Sequence, residues 1–361
     1  MAPEAPRELR CNLSSSFSHH PPFIITIFAI AGINAESSRR LHPPGMLRRL
    51  SQTNIRGKRV LVRVDFNVPI AGGRVTDDFR IRAAIPTIRY LLRGGNTVIV
   101  ISHHSDPRRS LAPTARRLGT LLGRPVAFVP NPFARQAQRR LAAVRGGIFL
   151  LENLRAWRGE EAADPRFARA LALLGDLVVN DAFGVAHRRG ASLTVLPRLR
   201  PAFLGLRFAS ELRRLDRILR HPARPLVAIF GGAKIETKLA ILRRFSRFAD
   251  RLLVGGAVAD ALRAARGRSG GHSIPRAIAR SAKIILPRDG IVSRGGRPKR
   301  LAADEIRPGE RSYDIGSETR AEFIREIRRA RTVVWNGPLG VVEAKPYQGG
   351  TIAVARAISA R

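Results

Sequence analysis

Short apolar runs alternate with amphipathic stretches along most of the chain. The run 59–65, RVLVRVD, predicts a buried strand, and residues 81–92 have the spacing of a helix that Gly94 and Gly95 end. The run 97–102, TVIVIS, predicts the next strand. Later predicted strands lie at 148–152, 177–180, 226–230, 251–254, 283–286 and 332–335. This alternation predicts βαβ units and an α/β fold built on parallel sheets.

The first 45 residues do not follow this alternation. Pro21 and Pro22 precede an apolar stretch at 23–32, in which residues 29–31 (AIA) resemble a signal-peptidase site. The charges before this stretch have both signs, which weakens the interpretation as a signal peptide. We therefore expect residues 1–45 to be a disordered extension that the fold does not need, with a targeting segment as the alternative.

The charge of the chain is strongly positive. Its 361 residues fit about two domains, and 44% hydrophobic residues are enough to form a core. Lys and Arg total 65 against 27 Asp and Glu, a net charge of +38, and only six of the 65 are lysines. The basic residues are spread along the chain and aromatic residues make up only 6%, which argues against nucleic-acid binding as the main role. An attraction for small anionic ligands is the better interpretation.

Cysteine content and hydropathy bear on location. The single cysteine, Cys11, excludes an internal disulfide. The chain has no apolar run of the roughly 18–20 residues that a membrane helix needs. We expect a cytoplasmic monomer that has neither a membrane nor a specific nucleic acid as partner.

Polar residues follow the predicted strands of the first half. Ligands of open parallel sheets collect at the carboxyl ends of the strands, so these residues are candidates for binding. Arg, His and Asn side chains there suit a small, multiply charged anion, because a guanidinium group binds phosphate or carboxylate through two parallel hydrogen bonds. The segments are 65–69 (DFNVP), 102–104 (SHH), 152–155 (ENLR) and 180–188 (NDAFGVAHR), and Arg80 follows the polar turn 76–78.

Glycine turns follow the predicted strands of the second half. Residues 231–238, GGAKIETK, open a helix, where glycines let backbone N–H groups approach a phosphate. Lys234 and Lys238 lie four residues apart, and a lysine is a movable point charge that suits a migrating phosphoryl group. Glu343 is either an acceptor for ribose hydroxyls or a solvated surface acid. Further turns follow at Gly255-Gly256 and at 335–343 (WNGPLGVVE).

Together these segments resemble phosphoglycerate kinases. The resemblance runs from about Met46 to the last residue, and it rests on RVLVRVDFNVP, TDDFRIRAAIPTI, LLENLR, VVNDAFGVAHR, VAIFGGAKIETK and TVVWNGPLGVVE in the family's order. It implies two Rossmann-like parallel-sheet domains joined by a hinge helix, with the second domain incomplete. The expected parts are an extension at 1–45, a substrate domain at 46–205, the hinge helix at 206–220 and a nucleotide-binding domain at 221–361.

The resemblance also implies an activity and its residues. The activity is the glycolytic transfer of a phosphoryl group between 1,3-bisphosphoglycerate and ADP, giving 3-phosphoglycerate and ATP, with Mg²⁺ on the nucleotide. Arg80 and Lys234 match the catalytic residues. The implied substrate-binding residues are Asp65, Phe66, Asn67, Arg80, His103, His104, Ser105, Asp106, Arg155 and Arg188. The implied nucleotide-binding residues are Gly231, Gly232, Ala233, Lys234, Lys238, Gly255, Gly256, Asn336, Gly337 and Glu343.

The sequence departs from the family pattern at three places. Asp106, in 102–107 (SHHSDP), stands where the family has a substrate-binding arginine, and Arg108 is a candidate to replace that charge. Gly190 stands where the family has a second histidine. The sequence ends at Arg361 without the GGGDT motif, whose aspartate holds the family's magnesium, so no metal ligand is assigned. We expect either an enzyme impaired by truncation or a non-catalytic, anion- or nucleotide-binding relative or gene fragment.

Overall fold

The computed structural model describes residues 24–26, 48–232, 236–266, 274–307 and 309–360. The chain divides into two compact units. The N-terminal unit is Gly32–Asp216, and the C-terminal unit is Arg217–Arg361 together with Met1–Ala31. The division falls within the helix Leu206–Arg220.

Strands and helices alternate through most of the described residues. The strands are β1 (Ile24–Thr26), β2 (Arg59–Arg63), β3 (Ile70–Ala71), β4 (Arg74–Val75), β5 (Thr97–Ile101), β6 (Ala127–Val129), β7 (Ile148–Leu151), β8 (Leu177–Asn180), β9 (Ala202–Leu204), β10 (Leu226–Phe230), β11 (Arg251–Val254), β12 (Ile284–Ile285), β13 (Asp289–Arg294), β14 (Arg297–Ala302), β15 (Asp314–Ile315) and β16 (Thr332–Asn336). The α-helices are Phe79–Arg93, Ala112–Leu122, Arg135–Ala143, Arg158–Glu161, Pro165–Ala172, Leu196–Leu199, Leu206–Arg220, Glu236–Phe248, Gly256–Arg266, Arg276–Ala279, Ser317–Arg329 and Gly349–Ser359.

The N-terminal unit is built on a parallel sheet with the strand order β6-β7-β5-β2-β8-β9. Successive side chains of a strand point to opposite faces, and both faces of this sheet are covered. Val60 and Val62 of β2 pack in one apolar cluster with Ile88 of the helix Phe79–Arg93. Leu61 packs in a second cluster on the other face. Burial on both faces explains why these strands are continuous apolar runs.

The C-terminal unit has a second parallel sheet, with the order β1-β16-β10-β11-β12. Val227 and Ile229 of β10 pack against Phe323 and Ile327 of the helix Ser317–Arg329. Between β12 and β16 in the sequence, β14, β13 and β15 form a small antiparallel sheet. The structure confirms the predicted α/β class with two parallel sheets.

The strand β1 lies at the edge of the C-terminal sheet, parallel to β16, with Ile24 opposite Val333 and Thr26 opposite Trp335. This pairing satisfies backbone groups of β16 on the side away from β10. Residues 24–26 thus form a strand, while the rest of the segment 1–45 lies outside the described residues, and the expected disordered extension stays a prediction. A three-residue edge strand has too short a pattern to be read from periodicity.

None of the helices in the part of the chain that the structure describes is long and apolar enough to cross a membrane.

Candidate active site

The carboxyl end of β2 gathers four of the residues that the sequence singled out. Arg80, at the start of the helix Phe79–Arg93, donates from Nη1 to Asp65 Oδ2 at 2.7 Å. Asp65 Oδ1 accepts from the backbone N of Asn67 at 3.3 Å, and Asn67 Oδ1 accepts from the backbone N of Ser105 at 2.9 Å. The loops after β2 and β5 are therefore tied together, with the Arg80 guanidinium beside them.

His103 is a buried histidine on which the charges of four arginines act. It is 3% exposed. Burial lowers its pKa to about 2, and the positive charges of Arg63, Arg155, Arg188 and Arg80 lower it in the same direction. The imidazole is thus neutral at physiological pH, in the field of four guanidinium groups. Positive charge of this density favours an anionic ligand.

The buried Asn153 holds the loop after β5 in place. Its Oδ1 accepts from the backbone N of His104 at 2.9 Å and of Arg155 at 3.1 Å. Its Nδ2 donates to the backbone O of Asp106 at 3.0 Å and of Arg109 at 3.1 Å. Asn153 follows a predicted strand, but it was not among the predicted site residues. An amide with both donor and acceptor in use is suited to fix two loops at once.

Asp106 is held by the arginines that follow it. Its Oδ1 accepts from the backbone N of Arg108 at 3.0 Å, and the Nε atoms of Arg108 and Arg109 lie 3.6 Å and 3.8 Å from its carboxylate oxygens. The hydrogen bond from the Arg108 backbone, more than any other contact, lowers the pKa of Asp106. The carboxylate thus faces two cations, while the replacement of the family's arginine by Arg108 stays a prediction.

Two further candidates occupy different positions. Arg155 is largely buried, and its Nε lies 3.0 Å from Glu161 Oε1. The Phe66 side chain is fully buried in the apolar core, so only its backbone, whose N donates to Ser102 Oγ at 2.8 Å, is available at the site. The alternation of a strand leaving the sheet turns the side chain inward, so a contact of Phe66 with the substrate would come from its backbone, and this assignment stays a prediction.

A buried chain of polar groups, which was not predicted from the sequence, leads away from His103. Arg63 is 2% exposed, donates from Nε to Ser192 Oγ at 2.9 Å, and places Nη2 3.2 Å from His103 Nδ1. Ser192 Oγ donates to Glu160 Oε1 at 2.6 Å, and Glu160 is itself 4% exposed. The sequence did indicate such a group, because an arginine within the apolar run RVLVRVD is expected to be buried, and a buried arginine requires hydrogen-bond partners.

In the C-terminal unit, glycine turns meet at the ends of the neighbouring strands β16, β10 and β11. Gly231 N donates to Asn336 O at 3.0 Å, and Gly255 N donates to Phe230 O at 2.8 Å. A Cβ on Gly231 would collide with the backbone O of Pro338. Backbone therefore packs on backbone at this end of the sheet, with no space for a side chain.

Lys238 joins the same place from the helix Glu236–Phe248. Its Nζ donates to Asn336 Oδ1 at 2.9 Å, and a Cβ on Gly337, whose φ is +80°, would collide with that Nζ. Burial lowers the pKa of Lys238. Gly232 and Gly256 also have positive φ, at +98° and +56°, and the two turns are in backbone contact. Glycine is required at such positions.

The remaining nucleotide-side candidates are placed as follows. Ala233 and Lys234 lie outside the described residues. Glu343 is exposed in the turn before the helix Gly349–Ser359. Among the residues that the structure describes, no group of three His, Cys, Asp or Glu side chains could hold a metal ion. Those residues therefore do not fit a metal held by the protein alone.

Comparison with known proteins identifies the family. A sequence model described as phosphoglycerate kinase matches residues 50–361. The chain belongs to the phosphoglycerate kinase family. The enzyme of this name from Rubrobacter xylanophilus is 44% identical over 332 residues, covering 86% of this chain and 85% of that one. The one from Moorella thermoacetica is 42% identical over 335 residues, with 86% and 85% covered.

Solved structures of the family have the same fold. The phosphoglycerate kinase of Pyrococcus horikoshii OT3 matches with a TM-score of 0.75 and 29% identity, covering 86% of each chain. That of Coxiella burnetii matches with a TM-score of 0.68 and 33% identity, covering 86% of this chain and 85% of the other. These likenesses extend through both units, and the family is one of kinases, as the sequence predicted.

Proposed function

We propose that the chain catalyses reversible phosphoryl transfer between 1,3-bisphosphoglycerate and ADP, giving 3-phosphoglycerate and ATP. The observation that carries this proposal is the grouping of Arg80, Arg155 and Arg188, whose charges act on the buried His103, with Arg80 paired to Asp65 after β2. A bisphosphorylated three-carbon acid carries several negative charges within a few ångströms, and such a cluster of guanidinium groups suits it.

The proposed roles divide the site between binding and catalysis. Arg80 stabilises the charge of the phosphoryl group in transfer, while Arg155, Arg188 and His103 hold the substrate. The geometry that supports this is the position of Arg80, whose guanidinium is half exposed beside the strand ends and is oriented by Asp65. The other proposed substrate contacts are Asn67, His104, Ser105, Asp106 and the backbone of Phe66.

The nucleotide is proposed to bind at the glycine turns of the C-terminal unit. Exposed backbone N–H groups and a helix N-terminus attract phosphate oxygens, and the helix Gly256–Arg266 begins at such a turn. Lys238 and Asn336 are proposed to contact the nucleotide phosphates, and Lys234 to follow the phosphoryl group. The remaining proposed contacts are Gly231, Gly232, Ala233, Gly255, Gly256, Gly337 and Glu343.

Phosphoryl transfer requires the protein to position the two substrates and to neutralise their charge, and it needs no covalent intermediate with the protein. In this proposal the guanidinium groups neutralise the charge that develops in transfer, and the neutral imidazole of His103 donates a hydrogen bond. Magnesium is carried by the nucleotide phosphates.

The chain is further proposed to be a cytoplasmic monomer with the domain limits predicted from its sequence. The relatives from Rubrobacter xylanophilus and Moorella thermoacetica both bear the name of the enzyme, which gives no support to the non-catalytic alternative.

A coupled assay with 3-phosphoglycerate and ATP tests the proposal, with Arg80→Ala against Arg82→Ala. Both arginines lie on the helix Phe79–Arg93 and pair with an aspartate, but Arg82 pairs with Asp78 on the exposed side. One lost hydrogen bond from a charged group is worth about 1.5–3 kcal/mol, so Arg80→Ala should lower kcat/KM about tenfold or more. Arg82→Ala should leave it within about twofold. Equal effects of the two changes would refute the role of Arg80, and absence of turnover in the unchanged protein would refute the function.

A further inference from the structure

Arg63 is a charged side chain enclosed within the N-terminal unit. It lies at the end of β2 and is 2% exposed. Burial of an unbonded guanidinium is costly, and each side of this one is bonded. Nε donates to Ser192 Oγ at 2.9 Å, Nη1 donates to the backbone O of Val64 at 2.5 Å, and Nη2 lies 3.2 Å from His103 Nδ1.

Glu160 supplies the negative charge that balances Arg63, and Ser192 lies between the two and bonds to both. Glu160 accepts from the Ser192 hydroxyl at 2.6 Å and from its backbone N at 3.0 Å. Burial lowers the pKa of Arg63, and the negative charge of Glu160, followed by that of Asp65, opposes this and favours the charged form. Two of the three guanidinium nitrogens, Nε and Nη1, are thus held by groups other than His103, and these bonds orient Nη2 toward the ring.

The chemistry of the two groups decides which nitrogen of His103 carries the proton. A guanidinium has donors and no acceptor, so Nδ1 of His103 must be the unprotonated, accepting nitrogen. A neutral imidazole then has its proton on Nε2. We infer that Arg63 is a positioning residue that fixes His103 in the Nε2–H tautomer. In this tautomer Nε2 donates to an anionic oxygen of the substrate, whose identity rests on the proposed function.

The surroundings of His103 exclude the two other forms of the ring. The imidazolium form is opposed by burial and by Arg63, Arg155, Arg188 and Arg80. The Nδ1–H form would direct a proton at the donor Nη2 of Arg63, so that two donors would face each other without an acceptor. Without Arg63, the ring is free to take that form and to turn a lone pair on Nε2 toward an anion, which repels it.

The tautomer is measured directly on the unchanged protein by nitrogen-15 NMR with labelled histidine, without substrate. We expect His103 to show a protonated Nε2 and an unprotonated Nδ1 at every pH from about 5.5 to about 8.5. A protonated Nδ1, or titration of the ring within that range, would overturn the inference. This measurement does not depend on turnover, so it separates the inference from the proposed function.

A matched pair of variants tests the cause. Arg63→Met removes the donor to His103, and Arg59→Met removes an arginine from the same strand whose partner is Asp176, at 2.7 Å, away from the site. We expect Arg63→Met to show both neutral tautomers and to raise the KM for 3-phosphoglycerate about tenfold, with the KM for ATP unchanged.

The control Arg59→Met should keep the single tautomer and both KM values. An unchanged tautomer in a folded Arg63→Met would overturn the inference, as would equal changes of both KM values, which indicate a general loss of structure. Should Arg63→Met not fold, the tautomer of the unchanged protein decides. Failure of 3-phosphoglycerate to bind the unchanged protein in calorimetry would refute the proposed function and, with it, the substrate part of the inference.

Discussion

Glu160 and Glu161 are neighbouring carboxylates of one short helix with opposite surroundings, and they give a sharp test of the buried polar chain. Glu160 is 4% exposed and accepts two hydrogen bonds from Ser192. The side chain of Glu161 is 64% exposed and pairs with Arg155. Replacing each glutamate by glutamine removes the same charge with almost no change of shape. The difference between the two variants therefore measures what burial does to the charge.

The structure sets the size of the two effects. In Glu160→Gln, one carboxylate oxygen becomes an NH₂ group that faces a donor of Ser192, and Arg63 loses its strongest counter-charge. Removal of one partner of a buried ionic pair costs about 3–5 kcal/mol, and Ser192 between the charges places this case near about 3 kcal/mol. In Glu161→Gln, an exposed pair is lost, which costs about 0–1 kcal/mol.

Urea unfolding followed by circular dichroism and tryptophan fluorescence measures the loss. Of the two tryptophans, Trp157 lies in the N-terminal unit and Trp335 in the C-terminal unit. A Trp335→Phe background therefore lets Trp157 alone report the N-terminal unit. Equal losses for Glu160→Gln and Glu161→Gln, or a loss below about 1 kcal/mol for the former, would refute the counter-charge argument.

The edge strand β1 and the buried carboxylate of Asp289 each lead to a prediction about stability. A chain that starts at Met46 lacks β1 and leaves a side of β16 unpaired, so its C-terminal unit should melt several degrees lower in calorimetry; an unchanged melting temperature would contradict a structural role of β1. Although burial opposes it, hydrogen bonds from Thr319 hold the pKa of Asp289 below its usual value. Its stabilisation is therefore complete above about pH 4 and is lost as pH falls through the lowered pKa, so Asp289→Asn should flatten the acid side of a stability–pH curve; an unchanged acid slope would contradict this.

The central strands could be predicted because each is buried on both faces. Residues 177–180, 226–230 and 251–254 were expected as strands and occur as β8, β10 and β11 with the same bounds. The small antiparallel sheet was missed because its pattern is weak. Five of the six residues of β14, RPKRLA, are exposed, so they show neither an apolar run nor a clean alternation.

The site could be predicted where the chain itself places polar residues after strands. Asp65, Asn67 and Ser105 come together as parallel strands require. The buried chain through Glu160 and Ser192 could not be found in this way, because its members come from elements far apart in sequence. Their pairing depends on packing, and no local pattern reports it.

The glycine turns at the ends of β16, β10 and β11 have a consequence for which substitutions this protein tolerates. Only six of its 65 basic residues are lysines, so arginine occupies most of the basic positions. At Gly231, Gly337 and Gly256, main chain lies against main chain or against Lys238, and a new side chain would either collide or be strained. A surface made of peptide groups has the same chemistry in every sequence that can form it. Exposed side chains elsewhere can therefore be exchanged for arginine while this end of the sheet keeps its shape and its polarity.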